Sequence, residues 1–197
     1  MKTLKIHFPN KHFYAILSAL ILTGFLVSCR EVETQNTSEQ VQTSAVQPEI
    51  DLQAAVIQGN LEAVKKHIKA GSDLDAKDPM SGSTALISAI TFGKTDISNA
   101  LIDGGAGLSV KNNDGATALH VAAFFCRVET VQKLLEAGAD KTLRNNFGAT
   151  PRESIMGSFD EAKPIYEFLQ TQLGPLGLEL DMADLEETRP VIAMMLQ

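Results

Sequence analysis

Tryptophan is absent from this 197-residue chain, tyrosine and cysteine occur twice each, and histidine four times. Catalytic signatures are missing as well. There is no glycine-rich phosphate loop, no serine on a nucleophile elbow, and no His-x-x-x-His or Cys-x-x-Cys spacing for a metal. The alternating acids of "DLDAKD" at 73–78 are not followed by the glycine-centred turn of a calcium loop. Positive charge is in deficit: 17 Lys and Arg face 24 Asp and Glu, for a formal charge of −7. Such a chain does not favour phosphate backbones, so a nucleic acid partner is not expected. Long apolar runs are lacking with one exception, Phe13 to Val27. Its 15 residues fall short of the ~20 that a membrane-spanning helix needs.

That run has the flanks of a secretory signal. The basic stretch "MKTLKIHFPNKH" precedes it and Ser28–Cys29 follow it. "LVSC" at 26–29 resembles the lipobox of bacterial lipoproteins, with an aliphatic residue and a small residue ahead of the cysteine. The resemblance implies removal of residues 1–28, lipidation of Cys29 and attachment to a membrane through that lipid. It also implies outer-membrane sorting, because residue 30 is Arg rather than the Asp of inner-membrane retention. Cleavage would remove Lys2, Lys5 and Lys11, taking the charge from −7 to −10. With Cys29 acylated, Cys126 has no intrachain partner. From Arg30 to Pro48 the chain is rich in Glu, Gln, Thr and Ser and too poor in apolar side chains to offset its chain entropy. It reads as a flexible tether, so residues 29–48 are assigned as a linker.

Beyond the tether the sequence repeats. "GSTAL" starts at Gly82, "GATAL" at Gly115 and "GATPR" at Gly148, a period of 33 residues. "KAGSD" at 69–73, "DGGAG" at 103–107 and "EAGAD" at 136–140 mark the ends of successive units. A fixed period of this length signals a solenoid. Thr117 is placed to cap a helix in which Leu119, Ala122 and Ala123 form a close-packing face. Val128, Val131, Leu134 and Leu135 form one face of a second helix, which Gly138 ends. These units resemble ankyrin repeats from about Glu49 to Gln170, so residues 49–170 are assigned to an all-α ankyrin-repeat solenoid of about four units with degenerate caps. The first unit starts directly on a helix and carries His67 where later units have Leu101 and Leu134. His67 is read either as a half-buried cap residue or as a pH-sensitive or ligand histidine. The turn "AKDPMSGS" is one residue longer than its counterparts. The last unit has Arg152 in place of leucine and an irregular "MGSFDEAKP" before a helix "IYEFLQ". Residues 171–197 form a helical extension with a fresh start at Thr188 and Pro190, either folded over the last repeat or held out for a partner.

The resemblance implies a concave groove lined by the turn tips and the far ends of the first helices. Partner-contact candidates on it are Phe92, Phe124, Phe125, Phe147, Met80, Asn113 and Asp114. Phe92 and Phe125, one period apart, would lie side by side in an aromatic strip with a polar rim. The alternative is that some of these rings turn inward. Cys126 stands where Gly59 and Gly93 end the equivalent helices, a left-handed position that costs cysteine about 1 kcal/mol. It is either a redox thiol or an inert buried one. His120 matches the family's structural histidine. His120 and Cys126 are six residues apart on one helix, about 240° of rotation, and point away from each other. The expected function is therefore non-enzymatic: a lipid-anchored module of the bacterial envelope, facing the periplasm, that holds an envelope protein in its groove. No cofactor or small-molecule substrate is expected. The other reading is a redox accessory protein acting through Cys126.

Overall fold

The computed structural model describes residues 50–197. Residues 1–28, Cys29 and the tether to Pro48 lie outside the described residues. Among the described residues eight α-helices follow one another: α1 Leu52–Ile57, α2 Leu61–Ala70, α3 Ala85–Thr91, α4 Thr95–Asp103, α5 Ala118–Phe124, α6 Val128–Glu136, α7 Phe159–Leu173 and α8 Met182–Met195. Among the described residues there is no strand, and no helix is long and apolar enough to cross a membrane.

Helices α1, α3 and α5 stack in an inner row, and α2, α4 and α6 in an outer row. Composition explains the two rows. Inner helices approach closely because Ala55, Ala89, Ala122 and Ala123 lie at their contacts with no exposed surface. Outer helices are amphipathic and bury one stripe: Val64, then Ile97 and Leu101, then Val131 and Leu134. No unit could bury these faces alone, so the stack is the stable form. Thr84 Oγ1 caps α3 by accepting from the Ile87 amide at 3.3 Å. The first unit begins directly on α1, as its sequence indicates, with Asp51 accepting from the Ala54 amide at 3.1 Å. His67 is buried and both ring nitrogens are engaged, Nε2 with the Ile50 carbonyl at 2.8 Å and Nδ1 with Ser72 Oγ at 2.9 Å. It ties the chain's entry to α2, which is the cap role.

The far end departs from the repeat. A single 3-10 turn, Glu153–Ile155, packs on α5 where a fourth inner helix would stand. Helix α7 starts at Phe159 rather than Ile165, because Ser158 Oγ accepts from the Glu161 amide and supplies a cap. Pro164 lies inside α7, where the Asp160 carbonyl goes without its helical donor. Phe159, Ala162, Tyr166, Leu169 and Leu173 give α7 a core-facing stripe. Helix α8 packs on α6, with further contact to α5 and α7, so the tail folds back over the last repeat. It begins at Met182 and not at Thr188–Pro190. Asp181 Oδ1 accepts from the amides of Ala183 and Asp184 at 2.9 and 3.2 Å. Buried Leu185, Arg189, Ile192 and Leu196 then carry one face straight through Pro190.

Candidate functional site

The turns between units are built alike. Asp78, Asn112 and Asn145 each fold the chain by accepting two backbone N–H bonds with one side-chain oxygen, from Met80 and Ser81, Asp114 and Ala116, and Phe147 and Ala149. The hydrogen bonds from Ser81 and Met80 hold the Asp78 carboxyl below its ordinary value. Consecutive turns are then stapled. Asn113 Nδ2 donates to the Met80 carbonyl at 2.8 Å, and Asn146 Nδ2 to the Asn113 carbonyl at 2.9 Å. Lys77 Nζ donates to the Lys111 carbonyl at 2.7 Å, and Lys111 Nζ to the Arg144 carbonyl at 2.8 Å. Arg144 closes the row on the Gly148 carbonyl and Glu153. Asn113, a candidate partner contact, is exposed, and its amide also holds two turns together. Asp114 is exposed, and so are Met80 at 66% and Phe147 at 63%. The extra residue of the first turn is absorbed at the tip, where the Gly82 amide bonds the Asp78 carbonyl four residues back.

The phenylalanines do not form an open strip. Phe125 is only 6% exposed and belongs to the core. It continues the helical turn of α5 (φ −85°, ψ 10°) as Phe92 does after α3 (φ −84°, ψ 8°), so packing and not backbone sets the two rings apart. There it meets Phe124 edge-on at 5.1 Å and lies 5.9 Å beneath the Arg127 guanidinium. Phe124 is half-buried and stacks on Tyr166 at 4.6 Å, and Phe92 is half-buried against the core. Of the four rings, Phe147 is the one classed as exposed, at 63%.

Cys126 has φ +52°, the left-handed position its register with Gly59 and Gly93 indicates. It is buried, its Sγ lies 3.7 Å from the Leu185 carbonyl of α8, and burial pushes the thiol up to about 11. At neutral pH almost none of it is thiolate, the nucleophilic form. A thiol reagent should therefore label native Cys126 far more slowly than the denatured chain. Equal rates in the two states would reinstate a reactive cysteine.

His120 is structural. Its Nδ1 accepts from the Thr117 amide at 3.2 Å and faces the Thr117 hydroxyl at 2.9 Å, while Nε2–H donates to the Ala149 carbonyl of the next turn at 3.0 Å. Burial lowers its pKa, the Ala149 bond opposes this, and Lys111 adds to the lowering. The folded state thus favours neutral His120. Its contribution is complete above the unfolded value of about 6.5 and is lost as pH falls through the lowered folded value. Wild-type Tm should fall more steeply below pH 6.5 than that of His120→Gln, as followed by circular dichroism. Parallel profiles would refute this.

One buried cluster escaped the sequence reading. Tyr166 has no exposed surface, and Arg189 is 5% exposed. Tyr166 Oη–H donates to the Phe124 carbonyl at 2.6 Å and accepts from Arg189 Nη1 at 2.9 Å. Arg189 Nη2 donates to the carbonyls of Ile155 and Gly157 at 2.9 and 3.1 Å. Burial pushes the tyrosine hydroxyl up to about 12. The cluster fastens α5, the 3-10 turn, α7 and α8 together. Its only sequence signal is the apolar spacing of 159, 162, 166, 169 and 173, which continues across Pro164. Among the described residues no group of three or more His, Cys, Asp or Glu could hold a metal ion.

A family model described as ankyrin repeats (3 copies) matches residues 52–145. No curated protein matches the chain in sequence. Among solved structures the chain is similar to the ankyrin repeat domain of Bcl-3, described as a unique member of the IkappaB protein family, at 31% identity and a TM-score of 0.51. That match covers 52% of this chain and 45% of the other, so the chain spans less than half of that neighbour's length. Residues 52–145 thus match ankyrin repeats, and the described residues fold as an all-α solenoid of the ankyrin type with a helical C-terminal cap.

Proposed function

We propose that this protein is a non-enzymatic binding module, tethered by a lipid on Cys29 to the outer membrane and facing the periplasm, that holds an envelope protein on its row of turns. Ankyrin repeats are generally protein–protein interaction modules. The signal-like residues 1–28, the "LVSC" at 26–29 and the polar stretch after it support the tether. The observation that carries the binding reading is the turn row itself. Met80 and Phe147 are large apolar side chains, 66% and 63% exposed, on turns locked by the Asn113 and Asn146 staples. Rigid presentation lowers the entropy lost on binding, and apolar anchors supply affinity. Asp114 lies on the same row as Phe147, one period earlier, and adds a polar contact. The redox reading through Cys126 has no support from a buried, protonated thiol.

A photo-crosslinker placed at residue 80 or residue 147 in cells should capture one dominant envelope protein, and Phe147→Ser should abolish the adduct formed from residue 80. Adducts that are absent from both positions, or indifferent to Phe147→Ser, would refute the turn row as the binding face. Cys29→Ser should move the protein from the membrane fraction to the soluble one.

A further inference from the structure

Two arginines of the C-terminal cap carry charge that the fold does not pair. Arg152 falls in register with Leu86 and Leu119, which have no exposed surface, yet it is half-buried and cationic. Its Nε donates to the Ala193 carbonyl of α8 at 3.1 Å, and among the described residues nothing accepts from its two terminal nitrogens. Arg189 is 5% exposed, and its three bonds go to neutral oxygens, the Tyr166 hydroxyl and the Ile155 and Gly157 carbonyls. They engage one N–H of Nη1 and both of Nη2, which leaves Nε–H and the second N–H of Nη1 over. Among the described residues neither guanidinium is in an ion pair. Buried charges are ordinarily paired, because neutral dipoles offset the loss of hydration only in part.

Both arginines line one groove of about 350 Å³, between the 3-10 turn, the start of α7 and the last half of α8. That volume lies near the lower end of the range for small-molecule sites. Ile155, Met156, Phe159 and Met194 give the groove apolar walls. Met156 and Met194 are exposed, and methionine is flexible enough to close over an apolar body of varied shape. Glu186 is the one acid on the lining; it is exposed and pairs with neither arginine. Two positive charges therefore face one negative, 2 − 1 = 1, a surplus of a single positive charge beside apolar surface.

We infer that this groove binds a small amphiphilic monoanion, an apolar chain ending in a carboxylate, with the carboxylate on Arg152 and Arg189 and the chain against Phe159, Met156 and Met194. The guanidinium fork matches a carboxylate, and beside apolar walls such a bond is stronger than in water. Charge selects this ligand over its neighbours in chemical space. A cation would meet two guanidiniums. A neutral apolar molecule would cover the arginines without pairing them. A dianion would exceed the single surplus charge and leave its own excess desolvated.

The test titrates the purified full chain, carrying 13C-methyl methionine, with octanoate, octan-1-ol and octylammonium. Octanoate should shift the methyl signals of Met156 and Met194 and leave that of Met80, on the turn row, in place. Octan-1-ol should bind about tenfold or more weakly, and octylammonium should not bind. Arg152→Gln keeps an N–H donor and removes a charge, and it should weaken octanoate by about tenfold or more. Glu186→Gln, at an exposed position, removes the opposing charge and should tighten octanoate severalfold, a gain that a damaged fold would not give. Met156→Ser with Met194→Ser leaves the charge untouched and should weaken binding through the chain alone. Phe147→Ser should leave it unchanged, which separates this site from the turn row. Four results would overturn the inference. One is no octanoate binding. Another is octan-1-ol bound as tightly as octanoate, which would make the groove an apolar patch alone. A third is octanoate affinity that ignores both Arg152→Gln and Glu186→Gln. The last is tighter binding of acetyl-Ala-Ala-Leu with a free C-terminus than of octanoate, which would make the ligand a peptide end.

Discussion

Tyr166→Ala should destabilise the domain by about 4 kcal/mol, in the range of large aromatic truncations in a core. The ring is fully buried, stacked 4.6 Å from Phe124 and 6.0 Å from Phe159. Its removal leaves a cavity where α5, α7 and α8 meet. It also strips the Phe124 carbonyl of its donor and Arg189 of an acceptor, leaving a buried guanidinium with two carbonyls only. Domains of this size are stable by roughly 5–15 kcal/mol, so this one change removes a large share. Tyr166→Phe keeps the packing and loses the hydroxyl, which should cost about 1–2 kcal/mol. A solenoid transmits such damage from neighbour to neighbour. Hydrogen exchange should therefore quicken first in α7 and α8 and least in α1 and α2. A urea midpoint barely moved by Tyr166→Ala, or exchange that rises evenly along the chain, would show that the cap is not held through this residue.

The repeats were legible in the sequence because their physics is local. A Gly-x-Thr turn, an alanine-rich inner face and an amphipathic outer helix each fit within 33 residues, and the period shows them three times. The left-handed backbone of Cys126 was legible for the same reason, since register alone aligns it with Gly59 and Gly93. What failed depends on contacts made far along the chain. Phe125 matches Phe92 by register yet belongs to the core, and its neighbour Phe124 is covered by Tyr166 from 42 residues along the chain. The bond from the Asn113 amide to the Met80 carbonyl, 33 residues back, carries no local signal either. The cap was least legible. Thr188 and Pro190 carry a helix-start pattern, but the better cap at Asp181 and the buried face of Leu185, Arg189 and Ile192 override it. Nothing local announces that Arg189 will be buried 23 residues away from the tyrosine that accepts its proton bond.

Gly115→Ala should cost about 3 kcal/mol, and Gly138→Ala only about 1. Both glycines have positive φ, +71° and +85°, so each substitution meets the left-handed penalty of about 1–2 kcal/mol. Their surroundings differ. A Cβ on Gly138 would meet no atom within 4 Å, whereas one on Gly115 would lie 2.3 Å from Asn146 Oδ1 and 2.7 Å from its backbone nitrogen. The second contact matters more, because a side chain can move aside and the Asn146 amide cannot without giving up its 3.0 Å bond to the Asp114 carbonyl. Crowding of this kind adds about 1–3 kcal/mol. A double-mutant cycle separates the two terms. Asn146→Ala removes the oxygen but leaves the backbone nitrogen, so it should relieve the Gly115→Ala defect only in part. Full relief would place the whole clash on the side chain; no relief would place it on the backbone. Phe147 follows Asn146 directly, so a displaced turn should also misplace the ring. Gly115→Ala should then weaken capture of the envelope partner beyond what its lost stability explains, and Gly138→Ala should leave that capture intact.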